Sequence, residues 1–590
     1  MLCSLGAALE VIMFCILNNS VSLPGGLSYS KAFRRLHLVV IIFILFNGFL
    51  LTPARGGELR PQLWVPYLTT SSRPTLHHDP SSSDHTPLDT PSQVTLLFHA
   101  LQGTAIMNVA TVNDERGLAY VTSGKTDQPC LHAFYLKEED GHQAGDVAWT
   151  SNDWENETKL GTTATISSPI IDNNGDVYIN DDRFLWASTW NGRLKWKASL
   201  PRGEDEDPSP LITPVFTPSG HVGGITGKGW VRFYDRDTGA IKATYQLSGL
   251  AQSNPASPSL SRANSITNCL CMDTNDQPMI DPLLLEKSFA PAFFGVGPAV
   301  ANTPAVLPEP DDQSGSRCRI YIPATLSSKD ENGNPDVKLF RLDITYDKEK
   351  DLLSVEENRG FNAIIKGGLA SATSPDISAD GQTITFGTNN GYLSAVKANT
   401  GEIRWNTKVG AMYGSATITW SDPYTVYIGA GSTIKAINGT NGRLLWTRNY
   451  NFLATQELPA IQVHKRVAIV DGLILDSPNT LQVPFLLGYK PSMGPSREGP
   501  IVNTALWPMK AVLVILDKKS GKVKGVSGEL PDSSEGESNV DYAGNVHLTF
   551  FSSISSLAHC LWRNHSLDLG VLPEPMKPVG GFAVFSEKTP

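Results

Sequence analysis

Seven cysteines stand at positions 3, 15, 130, 269, 271, 318 and 560, and their spacing is the first test for metal or redox chemistry. No two are placed as Cys-x-x-Cys, the spacing that zinc ribbons, thioredoxin-type exchange and c-type haem attachment need. Cys269-x-Cys271 is the one close pair, and a disulfide, a metal contact or two loop cysteines would each account for it. Asp172-Asn-Asn-Gly-Asp176 packs oxygen donors into a short loop, as a calcium site does. An EF-hand also carries glutamate at its twelfth position, and counting from Asp172 that position is Arg183, so a hairpin turn is expected instead. The nucleophile and zinc motifs Gly-x-Ser-x-Gly and His-Glu-x-x-His do not occur. A site assembled from separate segments leaves no local motif. His221, Lys228 and Trp230, in GHVGGITGKGW, and Lys366, in IIKGG, are the candidate ligand-binding residues. For each, the competing reading is a surface lysine or a packed aromatic.

The elements that must position such residues are set by composition. Of 590 residues, 41% are hydrophobic and only 18% charged, which excludes wholesale disorder and disfavours a helical or coiled-coil protein. Fifty-one glycines and 40 prolines favour many turns, hence an all-β chain. The net charge of −10, with no long Lys/Arg run, argues against nucleic acid as a partner. Glu204-Asp-Glu-Asp207 reads as a solvated loop.

Residues 31–37, KAFRRLH, precede the apolar run LVVIIFILFNGFLL at 38–51, the form of a secretory signal peptide. Thr52-Pro53-Ala54 offers small residues for cleavage. An uncleaved anchor is the alternative, although the run is short for a membrane span. Residues 1–55 are therefore assigned to a signal peptide or signal anchor region. The Pro/Ser/Thr/His-rich residues 56–93 are assigned to a disordered linker, and 94–590 to the folded domain. The expected location is outside the cell or in the secretory lumen; the alternative is a type II single-pass membrane protein held through residues 38–51. Sequons at Asn156, Asn438 and Asn564 fit a secreted glycoprotein.

An internal repeat organises the folded part. AVKANTGEIRW (Ala395 to Trp405) aligns without a gap with AINGTNGRLLW (Ala436 to Trp446) and with WASTWNGRLKW (Trp186 to Trp196). FYDRDTGAIKA (Phe233 to Ala243) and ILDKKSGKVKG (Ile515 to Gly525) repeat the frame without its closing Trp. The shared glycines 192, 239, 401, 442 and 521 supply the positive φ of a tight hairpin between two strands. The Trp is then free to cover the apolar space between neighbouring sheets. Upstream, Pro169, Pro214, Pro258 and Pro304 recur at intervals of about 45 residues, the spacing of propeller blades. Pro375, Thr417 and Pro459 continue the series, with weaker units at Ala110 and Val540. Because Pro258 lacks a closing hairpin, the expectation is an eight-bladed β-propeller of four-stranded antiparallel blades, with seven blades as the alternative. Gln93 to Leu101 would add a strand to the last blade and close the ring.

This pattern resembles the quinoprotein (PQQ-type) β-propeller repeat, in which a blade ends Ala-x-Asp-x-x-Thr-Gly-x-x-x-Trp, over roughly residues 105–585. The resemblance implies the fold. For the dehydrogenases of the family it also implies PQQ over a tryptophan, a vicinal Cys-Cys disulfide, a calcium ion and an aspartate base. This chain has no adjacent cysteines and no haem motif, so no cofactor is expected, PQQ and calcium included. The leading reading is a secreted or lumenal propeller that binds a small molecule or a protein on one face of the ring. The alternative is a cofactor-free propeller-fold enzyme (hydrolase, lyase or cyclase) acting on a small organic molecule, for example in secondary metabolism. A quinone-dependent dehydrogenase ranks third.

Overall fold

The computed structural model describes residues 65–590 apart from 140, 157, 202–211, 252–268, 285–298, 371–372, 411, 413, 422–423, 463, 491–505, 535, 537, 566–571 and 589–590. The apolar run 38–51 lies outside the described residues. Among those described, no helix is long and apolar enough to cross a membrane.

Among the described residues eight antiparallel sheets are present, and in six of them the strands follow one another in chain order. Blade 1 runs from Thr111–Asn113 to Val147–Thr150, blade 2 from Ile170–Ile171 to Leu194–Ser199, and blade 3 from Val215–Phe216 to Ile241–Gln246. Blade 4 runs from Ala305–Pro308 to Leu352–Glu357, blade 5 from Asp376–Ile377 to Ile403–Lys408, and blade 6 from Thr417–Ile418 to Leu444–Asn449. In each, the first strand is innermost. Blade 7 departs from the rule: its inner strand Leu475–Asp476 pairs with the start of Thr480–Lys490, whose far end pairs with Lys465–Val470. Pro459 therefore does not mark an inner strand, because the helix Asn451–Glu457 and an added strand intervene. Blade 8 combines Asn539–Val540, Val546–Phe550 and Gly581–Glu587 with Val94–Ala100, which supplies the outermost strand and closes the ring.

The repeated glycines do what their spacing requires. Gly192, Gly239, Gly401, Gly442 and Gly521 all have φ between +64° and +84°. Over four of them lies a tryptophan of the preceding blade: Trp149 over Gly192, Trp196 over Gly239, Trp405 over Gly442 and Trp446 over Gly521. Each indole N–H donates to a carbonyl of the same hairpin. The acceptors are Trp190 (2.8 Å), Arg236 (3.0 Å), Gly439 (2.6 Å) and Lys518 (3.2 Å). A buried indole thus keeps a partner for its one donor while its ring seals the inter-blade space. The middle strands lose the expected in–out alternation because neighbouring blades cover both faces, so Leu393, Ser394 and Ala395 are all buried.

At Gly442 a Cβ would stand 2.7 Å from the Trp405 ring on a backbone that L-residues avoid. Gly442→Ala is expected to cost about 1–3 kcal/mol. Urea unfolding would show this as a lower midpoint with an unchanged slope.

Candidate functional site

A propeller's inner strands leave one edge of backbone N–H and C=O groups facing the axis, and these need partners. Here the partner is the chain's own residues 65–91. This corrects the expectation of a disordered linker over 56–93 for the described part of that stretch. Residues 57–590 form one compact unit. From Ser71 to Thr86 every residue except Leu76 and Pro80 is buried.

The segment winds around the inner wall of the ring. Val112 of blade 1 and Ile171 of blade 2 donate their N–H to the carbonyls of Arg73 and Pro74. Val306 of blade 4, Ile377 of blade 5, Ile418 of blade 6 and Asp476 of blade 7 donate to Pro80, Ser81, Ser83 and Asp84. Thr69 and Thr86 return N–H groups to Ile171 and Asp476. Tyr67 packs on Arg236 of blade 3, and Arg73 donates to the Ser538 carbonyl at the start of blade 8. The composition that reads as disorder is thus suited to a wall of backbone polar groups, where hydroxyls and carbonyls rather than apolar side chains find partners.

Its side chains form a dense polar cluster. Asp79 accepts from the Ser81 N–H (2.7 Å) and from the hydroxyls of Ser81 and Ser83. His77 Nδ1 lies 2.7 Å from Asp84 and its Nε2 2.9 Å from the Ser374 hydroxyl. His85 Nδ1 lies 2.6 Å from Asp476, which also accepts from Lys518 (2.7 Å), and the His85 ring packs on Trp420. Arg73, fully buried, donates to His78 Nε2 (3.0 Å) and to the Leu76 carbonyl.

The four candidate residues do not converge on one point. His221 is buried at the junction of blades 3 and 4, with Nδ1 3.0 Å from Ser219 and its ring against Tyr346. Burial, and then the Lys242 charge, hold its pKa below the ordinary value. Lys228 and Trp230 sit beyond the other end of the strand His221–Ile225, at the turn into Trp230–Asp235. Lys366 is exposed and pairs with buried Asp336 at 2.8 Å. Burial pushes the Asp336 carboxyl up, but Lys366, the Gly367 N–H and Ser328 together hold it below the usual range.

The Asp172 loop is a turn. Its Oδ1 accepts the N–H groups of Asn174 and Asp176, and its Oδ2 meets the Tyr178 hydroxyl. Asp273, Asp330 and Asp541 cap turns of the same kind. Asn156 and Asn438 each accept the N–H of the sequon threonine, Thr158 and Thr440. The Asn564 side chain lies outside the described residues.

On the opposite face, described residues 269–284 of the insertion between blades 3 and 4 pack over blades 1, 2 and 8. Ala105 donates its N–H to the Met279 carbonyl, and Asp281 accepts the Thr162 hydroxyl at 2.9 Å. The partner of Cys269 is not Cys271 but Cys560, 291 residues away on the helix Ser553–His565. The Cys271 Sγ is buried 3.5 Å from the Phe551 carbonyl. Beside that helix, buried Asp532 accepts from the N–H groups of Ser533 (2.7 Å), Val579 (2.6 Å) and Gly580 (2.9 Å), and from Ser552 and Ser555. Asp532→Asn is expected to cost at least about 2 kcal/mol, since hydrogen bonds to a charged group are the strong ones and the donors left behind stay buried. A denaturation midpoint shifted by that amount, with the Cys269–Cys560 bond intact on non-reducing mass analysis, would check it.

Together, the ring, its Trp-on-Gly joints and the filled axis define an eight-bladed β-propeller. Residues 354–477, from the outer strand of blade 4 to the end of the inner strand of blade 7, match the family described as outer membrane protein assembly factor BamB, a PQQ-repeat family. Among solved structures, the chain is similar to quinohemoprotein alcohol dehydrogenase from Comamonas testosteroni. Identity is 11% over 91% of this chain and 84% of that one, with a TM-score of 0.50. A europium-containing methanol dehydrogenase matches at 10% identity over 88% and 98% of the two chains, TM-score 0.48. BamB from Moraxella catarrhalis matches at 12% identity over 84% and 99%, TM-score 0.41. No curated protein sequence matches the chain. At these identities the likeness is one of fold. The vicinal Cys-Cys disulfide that the resemblance implies is not formed here, because Cys269 is bound to Cys560.

Proposed function

We propose that this chain is a propeller scaffold of the secretory pathway that binds a protein partner on the rim of the face carrying the Gly hairpins. One observation carries the reading. Two residues after the hairpin glycine, at the start of the outermost strand, three blades expose an aliphatic side chain: Ile241 in blade 3, Ile403 in blade 5 and Leu444 in blade 6. Leu352, at the same edge of blade 4, is also exposed. Scattered apolar residues on a surface are ordinary, whereas a set repeated at one position around a rim suits protein contact. The axis, where a small ligand would enter, is taken by residues 65–91, which favours a macromolecular partner over a small-molecule one. The Cys269–Cys560 disulfide supports an oxidising compartment, in line with the signal-like amino terminus.

A photo-crosslinking residue placed at exposed Arg443, beside Leu444, in the secreted full-length protein is expected to give protein adducts. The triple variant Ile241→Ser, Ile403→Ser, Leu444→Ser should abolish them while leaving the thermal midpoint in place. Adducts that survive the triple variant would overturn the rim assignment. A stoichiometric small organic molecule retained in native mass spectrometry of the wild type would revive the small-ligand and enzyme readings.

A further inference from the structure

We propose that residues 65–91 are a plug of the ring axis that acid releases without unfolding the ring. The plug is built on polar contacts and strained backbone rather than on an apolar core. Three of its non-glycine residues, His78, Ser82 and Asp84, sit at φ of 64°, 57° and 51°, a region costly for such residues and tolerated only where surroundings impose it. Its backbone contacts with blades 4, 5 and 6 are single carbonyls of Pro80, Ser81 and Ser83 each accepting one N–H, and the Ser83 hydroxyl also accepts the Trp420 indole N–H at 3.0 Å.

The trigger is His78. Arg73 is a donor only, so its 3.0 Å contact requires a bare lone pair on His78 Nε2; the proton must then sit on Nδ1, which donates to the Ser72 carbonyl at 3.0 Å. A second proton on this ring would point N–H at the guanidinium. The groups around it offer unequal relief. His77 already faces Asp84, and His85 faces Asp476, itself paired with Lys518 of blade 7. Blade 8 presents the Ser538 carbonyl to Arg73, and blade 5 carries buried Asp376 beside Ile377. Glu535 and Glu537, which precede Ser538 in sequence, lie outside the described residues. Burial, then Arg73, set the His78 pKa well below 6.5.

The sign follows. A histidine whose packed pKa is depressed stabilises the packed state fully above its free value and loses that contribution as pH falls below it. Well below 6.5 each further pH unit weakens the plug by up to about tenfold, which amounts to at most about fifteenfold between pH 6.5 and 5.0.

Hydrogen exchange of the full-length chain, corrected for the intrinsic pH dependence of exchange, tests this. Between pH 6.5 and 5.0, peptides holding residues 69–86 and the amides of Val306, Ile377 and Ile418 are expected to lose protection by up to about fifteenfold. The middle strand Thr383–Thr388 should keep its protection, even though other buried histidines such as His132, whose pKa burial lowers to about 4, weaken the ring in stronger acid. In His78→Gln, an amide oxygen can accept from Arg73 but takes no proton, so the segment should stay protected at both pH values. Unchanged protection of the wild-type segment at pH 5.0, or loss in step with Thr383–Thr388, overturns the proposal. So does full pH dependence in His78→Gln. If that variant does not fold, the wild-type series alone decides.

Discussion

The docking of one blade's tryptophan onto the next blade's hairpin glycine is the contact on which the rest of the ring depends. It joins three requirements at one point. The glycine allows the hairpin its left-handed φ, the missing side chain leaves room for the indole, and the indole N–H satisfies a hairpin carbonyl that the sheet cannot reach. A sheet alone is only marginally stable. Repetition of the same joint from blade 1 to 2, 2 to 3, 5 to 6 and 6 to 7 turns eight small sheets into one continuous structure. Where the joint lacks a tryptophan, other contacts serve: the backbone of Asn362 and Ala363 covers Gly401, and Lys242 meets Asp351 across blades 3 and 4.

The axis follows a different principle. The inner strands converge on the axis with backbone groups that no neighbouring strand pairs. An extended peptide rich in Ser, His, Asp and Pro meets that need, since its carbonyls accept from the wall while its side chains bond to one another. The outer parts of the ring are held by apolar burial and the centre by hydrogen bonds, so the two regions respond to different solvent conditions.

This division also explains what the sequence reveals. The five glycines, the closing tryptophans and the short Ser/Thr-Pro marks repeat in register, so blade number and ring closure by residues 93–101 are legible in the chain itself. Trp149 escapes the alignment because its own hairpin, ending at Gly145, lacks the Thr-Gly frame, yet it docks like the others. Pro459 misleads because a helix and an extra strand displace the inner strand of blade 7. The axial segment was illegible for a physical reason: a peptide stabilised by partners scattered over eight blades has no periodicity of its own. Its composition matches that of a tether. The pairing of Cys269 with Cys560 joins positions that no local spacing relates. His221, Lys228, Trp230 and Lys366 attract notice by residue type alone, which says nothing of where neighbouring strands carry them.

Closure of blade 8 by Val94–Ala100 ties the start of the folded chain to its end. During synthesis the strand Val94–Ala100 and the axial segment leave the ribosome first, while their partners at Asp476, Ser538 and Gly581–Glu587 leave last. For almost the whole of translation, then, the nascent chain carries an unmatched strand edge and an uncommitted polar peptide. The amino-terminal region is thereby the part most in need of chaperoning, and truncation near the carboxyl terminus removes the closing partner of the residues made first.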